Sequence, residues 1–154
     1  MSSTSSSGSE TKPRKAGVAT DDEMDAFLKK HGLENIVVVD SRNPDFTVEP
    51  GDQRWGKDSI APIEGTGTNE YRPRTANVVF DRASKTMPLD VLKKHIESLG
   101  GDVDSWKDVP IITHCGGGGR GEKSRVYLKS QGFSNVINGG GPSVADLWHK
   151  YGEC

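Results

Sequence analysis

The apolar residues of the chain fall into short continuous runs, separated by segments with helical spacing. Residues 36–40 and 109–114 are runs rich in β-branched residues, with no alternation of polar and apolar positions. Such runs are typical of parallel strands that are buried on both faces. Edge strands are expected at residues 18–19 and 77–80, and the last strand begins at residues 136–137.

Apolar residues three and four positions apart predict four helices around these strands. Thr20 and Glu23 form a capping box before the first helix, Pro88 opens the second, and the third covers residues 122–131. On the second helix, His95 lies among lysines and is expected to face solvent. The predicted inner-face residues are Met24, Phe27, Leu28, Leu89, Leu92, Ile96, Gly121, Ser124, Leu128, Leu147 and Trp148. This alternation of strands and helices predicts an α/β fold, with a five-stranded, mostly parallel sheet and helices on both faces.

Composition narrows the class of protein. A chain of 154 residues, 32% hydrophobic and 27% charged, fits one domain with a core of useful size. The net charge of −2 gives no reason to expect nucleic acid or an anionic membrane as a partner, and no apolar run reaches membrane-spanning length. Residues 1–15 are serine-rich and are expected to form a disordered tail before a domain at residues 16–154. A serine-rich, acid-poor start also suits an organelle transit peptide.

The chain has two cysteines, Cys115 and Cys154, which do not make a disulfide framework. This usage favours a reducing compartment and predicts a cytoplasmic protein. Two distant cysteines and scattered histidines show no metal-ligand spacing. No metal is therefore expected. No cofactor is expected either.

The most informative segment follows the run at residues 109–114 and has the sequence C-G-G-G-G-R from Cys115 to Arg120. Each glycine costs roughly 0.5–1 kcal/mol relative to alanine, so four in succession need a reason. A backbone cup with inward-pointing amides binds anions, and the N-terminus of the following helix adds partial positive charge. The same field and Arg120 favour the thiolate of Cys115. The pattern predicts a nucleophilic thiolate over an anion pocket; a flexible loop beside a structural cysteine is the alternative.

Two more charged residues are candidates for a supporting role in this site. Asp40 and Arg42 lie at the end of the run at residues 36–40, where ligands bind in open α/β sheets. An ion pair that pins the loop is the preferred interpretation, and direct contact with substrate is the alternative. His114 precedes Cys115, but neighbours on a strand point to opposite faces, so it is not expected to act as the base.

The cysteine loop and the helix after it resemble the rhodanese family of sulfurtransferases. The resemblance lies in Cys115, the four glycines, Arg120 and the continuation Y-L-K-S-Q-G-F-S-N-V at residues 127–136. Weaker matches are V-V-D-S-R at residues 38–42, A-N-V-V-F at residues 76–80, and three glycines at residues 139–141 followed by a tryptophan. The similarity extends over roughly residues 16–151.

The resemblance implies an enzyme whose catalytic residue, Cys115, takes sulfane sulfur from thiosulfate or a persulfide donor and becomes a persulfide. Backbone amides of the loop would hold the charge of the terminal sulfur, and Arg120 would orient the anionic donor. The residues implied to bind the donor are Gly116, Gly117, Gly118, Gly119 and Arg120. The sulfur would then pass to cyanide or to a thiol, carried by a small molecule or a protein.

Two rival functions remain for this loop. One is a non-enzymatic rhodanese-like module that carries sulfur to a protein partner or docks on it. The other is a phosphatase or arsenate reductase of the same fold. From Cys115 to Arg120 the loop counts six residues. The resemblance associates that length with sulfur transfer, and a loop longer by one residue with phosphate.

An insertion at about residues 47–75 interrupts the resemblance. It contains three prolines, and the family's Gly-His-x-x-Gly-Ala turn is not found there. A loop this long is uncommon unless it is functional or disordered, so it either covers the active site or is a solvated insertion. Its candidate anion or partner contacts are Arg54, Trp55, Lys57, Arg72 and Arg74.

Overall fold

The computed structural model describes residues 16–42, 68–69, 72–101, 104–115, 118–141 and 143–151. The strands in these ranges are β1 (Val37–Asp40), β2 (Thr68–Asn69), β3 (Arg72–Asn77), β4 (Ile111–His114) and β5 (Val136–Asn138). The α-helices are α1 (Asp21–His31), α2 (Leu89–Ser98), α3 (Gly119–Ser130) and α4 (Ala145–Tyr151). Single turns of 3-10 helix cover Leu33–Asn35 and Trp106–Asp108. The predicted tail at residues 1–15 lies outside the described residues.

The strands form one sheet in the order β2-β3-β1-β4-β5. Four of them, β3, β1, β4 and β5, run parallel, whereas the two-residue β2 pairs antiparallel with β3. In the register of the sheet, Val39 of β1 lies between Ala76 of β3 and Thr113 of β4. The predicted α/β class is therefore confirmed, with four parallel strands and one short antiparallel strand.

Two predicted edge strands are wrong in place or extent. Residues 18–19 make only an isolated parallel bridge, Val18 to Asn138, because the N-cap of α1 follows at Thr20. The strand expected at residues 77–80 is β3, which begins at Arg72 and lies between β2 and β1 rather than at an edge. Beyond Asn77, the N–H of Val78 donates to the carbonyl of Asp40, the last residue of β1, and the N–H of Phe80 donates to that of Ser41.

The sheet is covered on both faces, because successive residues of β1 point to opposite sides. Val37 and Val39 belong to a core cluster with α2 and α3, whereas Ile36 and Val38 belong to one with α1 and α4. The buried helix residues of the first cluster are Leu92, Ile96 and Leu128, and those of the second are Met24, Leu147, Trp148 and Tyr151. This arrangement confirms the continuous apolar pattern as that of a doubly covered central strand.

The helix predictions hold at α1 and fail at one residue of α2. The capping box is present: Thr20 N–H donates to Glu23 Oε1 at 2.8 Å, and Glu23 N–H donates to Thr20 Oγ1 at 3.1 Å. His95, expected to face solvent, is buried together with Leu92 and Ile96. The physical reason is that the buried face of α2 includes the position of His95 as well as those of Leu92 and Ile96. The His95 ring therefore lies next to the backbone of β3 at Arg74.

Candidate active site

Cys115 directly follows β4, at the carboxyl end of a strand that lies between β1 and β5. Its side chain is buried, and its N–H donates to the Gly140 carbonyl oxygen at 3.2 Å. Ligand sites of open α/β sheets lie at this edge. The position of the thiol is thus the one that the sequence predicted for a reactive group.

Gly118 places a backbone donor on the cysteine sulfur. Its N–H donates to Cys115 Sγ at an N···S distance of 3.2 Å. Gly118 is the N-cap of α3 with φ +112°, and a Cβ atom there would lie 2.5 Å from Val18 Cγ2 and 3.2 Å from Gly140 Cα. Glycine therefore satisfies both the left-handed backbone and the close approach. The sulfur thus accepts a hydrogen bond from the N-cap residue of α3.

Helix α3 begins earlier than predicted, at Gly119 rather than Glu122. Gly119 and Arg120 therefore belong to its first turn and not to a loop of four glycines and an arginine. Glycine has low helix propensity, which hides this turn in the sequence. Packing overrides it: a Cβ on Gly121 would lie 2.6 Å from Asn138 Oδ1, so only glycine lets the helix come this close. Gly116 and Gly117 lie outside the described residues.

The inner stripe of α3 is as predicted, with Gly121, Ser124 and Leu128 all buried. Arg120 is also buried, in the first turn. At every helix start, the first backbone N–H groups have no acceptor within the helix. A guanidinium and helix-terminal N–H groups thus lie within a few residues of Cys115 along the chain.

The predicted ion pair between Asp40 and Arg42 is present and fully buried. Arg42 Nη2 donates to Asp40 Oδ2 at 2.7 Å, and Arg42 Nε donates to Asp40 Oδ1 at 3.0 Å. The Arg42 N–H also donates to Oδ1 at 3.0 Å, so the carboxylate closes the turn after β1. Within the described part of the chain, the remaining nitrogen Nη1 is buried without a hydrogen-bond partner.

His114 is a packing residue beside the cysteine. Its ring lies 5.2 Å from that of Trp148 and 6.1 Å from that of Tyr151, both on α4. Ring atom Nδ1 lies 3.1 Å from the carbonyl oxygen of Cys115. These contacts agree with the expectation that the two neighbouring side chains point to opposite faces.

Among the predicted contacts from the insertion, Arg54, Trp55, Lys57 and the side chain of Arg72 lie outside the described part of the structure. Cys154 also lies outside it. Arg74 is described, and it lies away from the cysteine. Its Nε donates to the Ile36 carbonyl at 2.8 Å, at the amino end of β1, whereas Cys115 follows the carboxyl end of β4. The interpretation of Arg74 as an anion contact of this site is therefore wrong.

Asn138, at the end of β5, is a site residue that the sequence interpretation missed. Its side chain is buried, and its Nδ2 donates to the Gly118 carbonyl oxygen at 2.9 Å. Its Oδ1 accepts from the Gly140 N–H at 2.9 Å. The available signal was a polar residue at the end of the strand beside the cysteine strand, immediately before three glycines.

Comparison with known proteins gives no match, either to a family model or to a curated protein. No helix in the described ranges is long and apolar enough to cross a membrane. The same ranges contain no group of three or more histidine, cysteine or acidic side chains that could hold a metal ion.

Proposed function

We propose that this protein is a rhodanese-like sulfurtransferase that carries sulfane sulfur as a persulfide on Cys115. The observation that carries the proposal is the 3.2 Å hydrogen bond from Gly118 N–H to Cys115 Sγ at the start of α3. A donor in that position stabilises a thiolate before reaction and the negative charge that returns to sulfur during transfer. The rhodanese resemblance of the loop gives the sulfur chemistry; the hydrogen bond gives a physical reason for nucleophilicity.

The reaction has two displacement steps. The Cys115 thiolate attacks the sulfane sulfur, the new Sγ–S bond forms, and the bond from that sulfur to the donor breaks. Sulfite from thiosulfate, or a thiolate from a persulfide, leaves with the electron pair. An acceptor thiolate or cyanide then attacks the outer sulfur, and Cys115 leaves as a thiolate.

The loop residues have distinct roles in this proposal. The amides of Gly116 to Arg120 hold the charge on the outer sulfur, and the Arg120 guanidinium orients the anionic donor. The buried Asp40–Arg42 pair holds the turn after β1, the strand beside β4 in the sheet. The reaction needs no cofactor, and the partners are a small sulfur donor and a thiol acceptor.

Exposure to a persulfide donor should add the mass of one sulfur atom to the peptide that contains Cys115. This is expected because only that thiol combines a strand end with a helix N-terminus in the described structure. Intact-protein and peptide mass spectrometry measure the addition, which reduction with a thiol should reverse. The Cys115→Ser variant should gain no sulfur.

Cys154→Ser is the matched control, because it removes the other cysteine and should load sulfur as the wild type does. Loading of Cys115→Ser at Cys154 to the wild-type extent would refute the assignment. Loading of Cys115 without release to cyanide or any thiol would instead favour the non-enzymatic carrier.

Thiosulfate should be a poor donor compared with persulfides. Gly118 and Gly119 offer no side-chain charge, and Arg120 is the single cation between Cys115 and Glu122. One charged hydrogen bond contributes about 1.5–3 kcal/mol, so a missing second cation corresponds to a loss of tenfold or more in kcat/KM. Steady-state transfer to cyanide, measured with each donor, tests this expectation.

The Gly119→Lys variant adds a cation in the first turn of α3 and should raise kcat/KM for thiosulfate more than for a neutral persulfide. Rapid turnover of thiosulfate by the wild type, with a low KM, would contradict the prediction.

Hydrolysis of an aryl phosphate by the wild type should be negligible. A phosphoryl group needs amides around three equatorial oxygens, whereas the outer sulfur is a single atom. The six-residue loop from Cys115 to Arg120 is the length that the resemblance associates with sulfur. Phosphate release should therefore equal that of Cys115→Ser.

A variant with one glycine inserted between Gly118 and Gly119, where the loop meets α3, tests the role of loop length. Phosphatase activity that appears only in this variant would support the argument from size. Substantial wild-type hydrolysis that disappears in Cys115→Ser would make the protein a phosphatase instead.

A further inference from the structure

Four hydrogen bonds form a closed ring that includes the cysteine sulfur. Cys115 N–H donates to the Gly140 carbonyl at 3.2 Å, and Gly140 N–H donates to Asn138 Oδ1 at 2.9 Å. Asn138 Nδ2 donates to the Gly118 carbonyl at 2.9 Å, and Gly118 N–H donates to Cys115 Sγ at 3.2 Å. Asn138 supplies the only side chain of the ring besides that of Cys115. It links the turn after β5 to the loop before α3.

The Gly118 carbonyl is held from two directions. Glu122 N–H donates to it at 2.9 Å as the first bond of α3, and Asn138 Nδ2 donates to it at the same distance. With the carbonyl held and the Gly118 backbone at φ +112° and ψ −7°, the N–H of the same residue points toward the sulfur. Asn138 has little freedom itself, because it is buried and Gly121 packs against its Oδ1.

Only an asparagine-like amide satisfies both partners at this position. Gly140 presents a donor and Gly118 presents an acceptor, so the side chain must accept at one end and donate at the other. Aspartate keeps the acceptor but replaces the donor that faces the Gly118 carbonyl. Leucine has a similar volume and removes both bonds.

We propose that Asn138 is a positioning residue for Cys115, which aims the Gly118 N–H at the sulfur and so favours its thiolate. This inference deepens the proposed function, since it takes Cys115 as the reacting group of sulfur transfer. The effect is on the charge of the sulfur before any donor binds. It can therefore be measured without the transfer reaction.

The experiment follows the ultraviolet absorbance of the Cys115 thiolate against pH in a Cys154→Ser background. The protein lacking both cysteines supplies the baseline. In Asn138→Leu the midpoint of thiolate formation should rise by about one pH unit, because a hydrogen bond to the charged sulfur is weakened. At any pH below the wild-type midpoint, this rise corresponds to about tenfold less thiolate. Asn138→Ala removes the same two hydrogen bonds without adding a charge, so it should move the midpoint in the same direction, and it provides the measurement if the leucine variant does not fold.

Asn77→Leu is the matched control for loss of a buried asparagine. Asn77 Nδ2 donates to two backbone carbonyls, those of Asp40 and Arg42, at 3.0 and 2.7 Å, but it is not part of the ring. Its variant should lose stability and keep the wild-type midpoint. Wild-type midpoints in both folded Asn138 variants, or an equal rise in Asn77→Leu, would overturn the proposal.

Sulfur loading distinguishes a failure of the positioning role of Asn138 from a failure of the proposed function. A raised midpoint in Asn138→Leu, combined with no sulfur loading of the wild type by any donor, would leave the positioning role standing and reject the proposed function. Loading of the wild type with unchanged midpoints in the variants would do the reverse.

Discussion

The Asp40→Ala variant is expected to lose about 3–5 kcal/mol of its free energy of unfolding, because removal of one partner leaves a buried, uncompensated charge on the other. Arg42 has no exposed side-chain surface, and Asp40 accepts three of its hydrogen bonds, from Nε, Nη2 and the backbone N–H. Urea unfolding at neutral pH, followed by circular dichroism, measures the loss.

Asp25→Ala is the matched control. Asp25 and Lys150 form an ion pair of nearly the same length, 2.8 Å, but the Asp25 side chain is 57% exposed. Exposed pairs contribute about 0–1 kcal/mol, so this variant should lose little. Equal losses in the two variants would contradict the view that burial makes the Asp40–Arg42 pair structural.

The double variant Asp40→Ala/Arg42→Met separates the cost of an unpaired charge from the contribution of the pair. Replacement of both charges leaves no buried ion, so most of the stability lost in Asp40→Ala should return. A double variant no more stable than the single one would show that the loss comes from the turn after β1, and not from the charge of Arg42.

The parts of the fold that could be predicted are those where a single local rule decides. The run at β1 is apolar at every position from Ile36 to Val39, and the structure buries it on both faces. At the start of α1, Thr20 and Glu23 exchange two hydrogen bonds within a segment of four residues, so this helix start needs no tertiary contact. Local patterns of this kind appear in the sequence with their partners beside them.

Strand β3 was harder to predict because its partners are distant in sequence. Its first four residues, R-P-R-T, include two arginines and a proline, which argue against a strand by composition. The pairing of Thr75 with Val38 and of Ala76 with Val39 outweighs that preference. Arg74 Nε donates a hydrogen bond to the Ile36 carbonyl, which lies 38 residues away in the sequence.

In the candidate site, too, local features could be predicted and contacts between distant residues could not. The place of Cys115 between a strand end and a helix start could be predicted, because the apolar run, the cysteine and the helical pattern are adjacent in the chain. Anion binding by the glycines and Arg120 stays a prediction. Asn138 could not be predicted, because its role exists only when β5 lies beside β4 and brings its amide to Gly118. The early start of α3 depends on the same contact, since Gly121 packs against Asn138.

A histidine on α2 leads to a prediction for pH dependence. The His95 side chain is buried, and neither ring nitrogen has a hydrogen-bond partner among the described residues. Burial lowers the pKa of His95; the nearby Arg74 backbone opposes this by favouring the protonated ring, and the Arg74 charge lowers the pKa further. The folded protein therefore keeps His95 neutral at pH values where the unfolded chain protonates it.

The wild type should lose stability as the pH falls below about 6.5, the pKa of a histidine in an unfolded chain. Below that value the unfolded chain binds a proton that the folded protein does not, so each pH unit costs up to about 1.4 kcal/mol until the lowered pKa is reached. Above it, the contribution of His95 is constant. Urea unfolding at a series of pH values gives the slope.

The His95→Leu variant should flatten this slope and be more stable than the wild type, by about 1–3 kcal/mol near neutral pH, because it removes an unsatisfied buried polar group without leaving a large cavity. Its advantage should grow as the pH falls. His31→Leu is the control: burial and the Lys30 charge also lower the pKa of His31, but its ring is only half-buried against Phe27 at the end of α1. It should remove a smaller part of the slope. A His95→Leu protein with the wild-type slope would show that the acid sensitivity arises elsewhere in the chain.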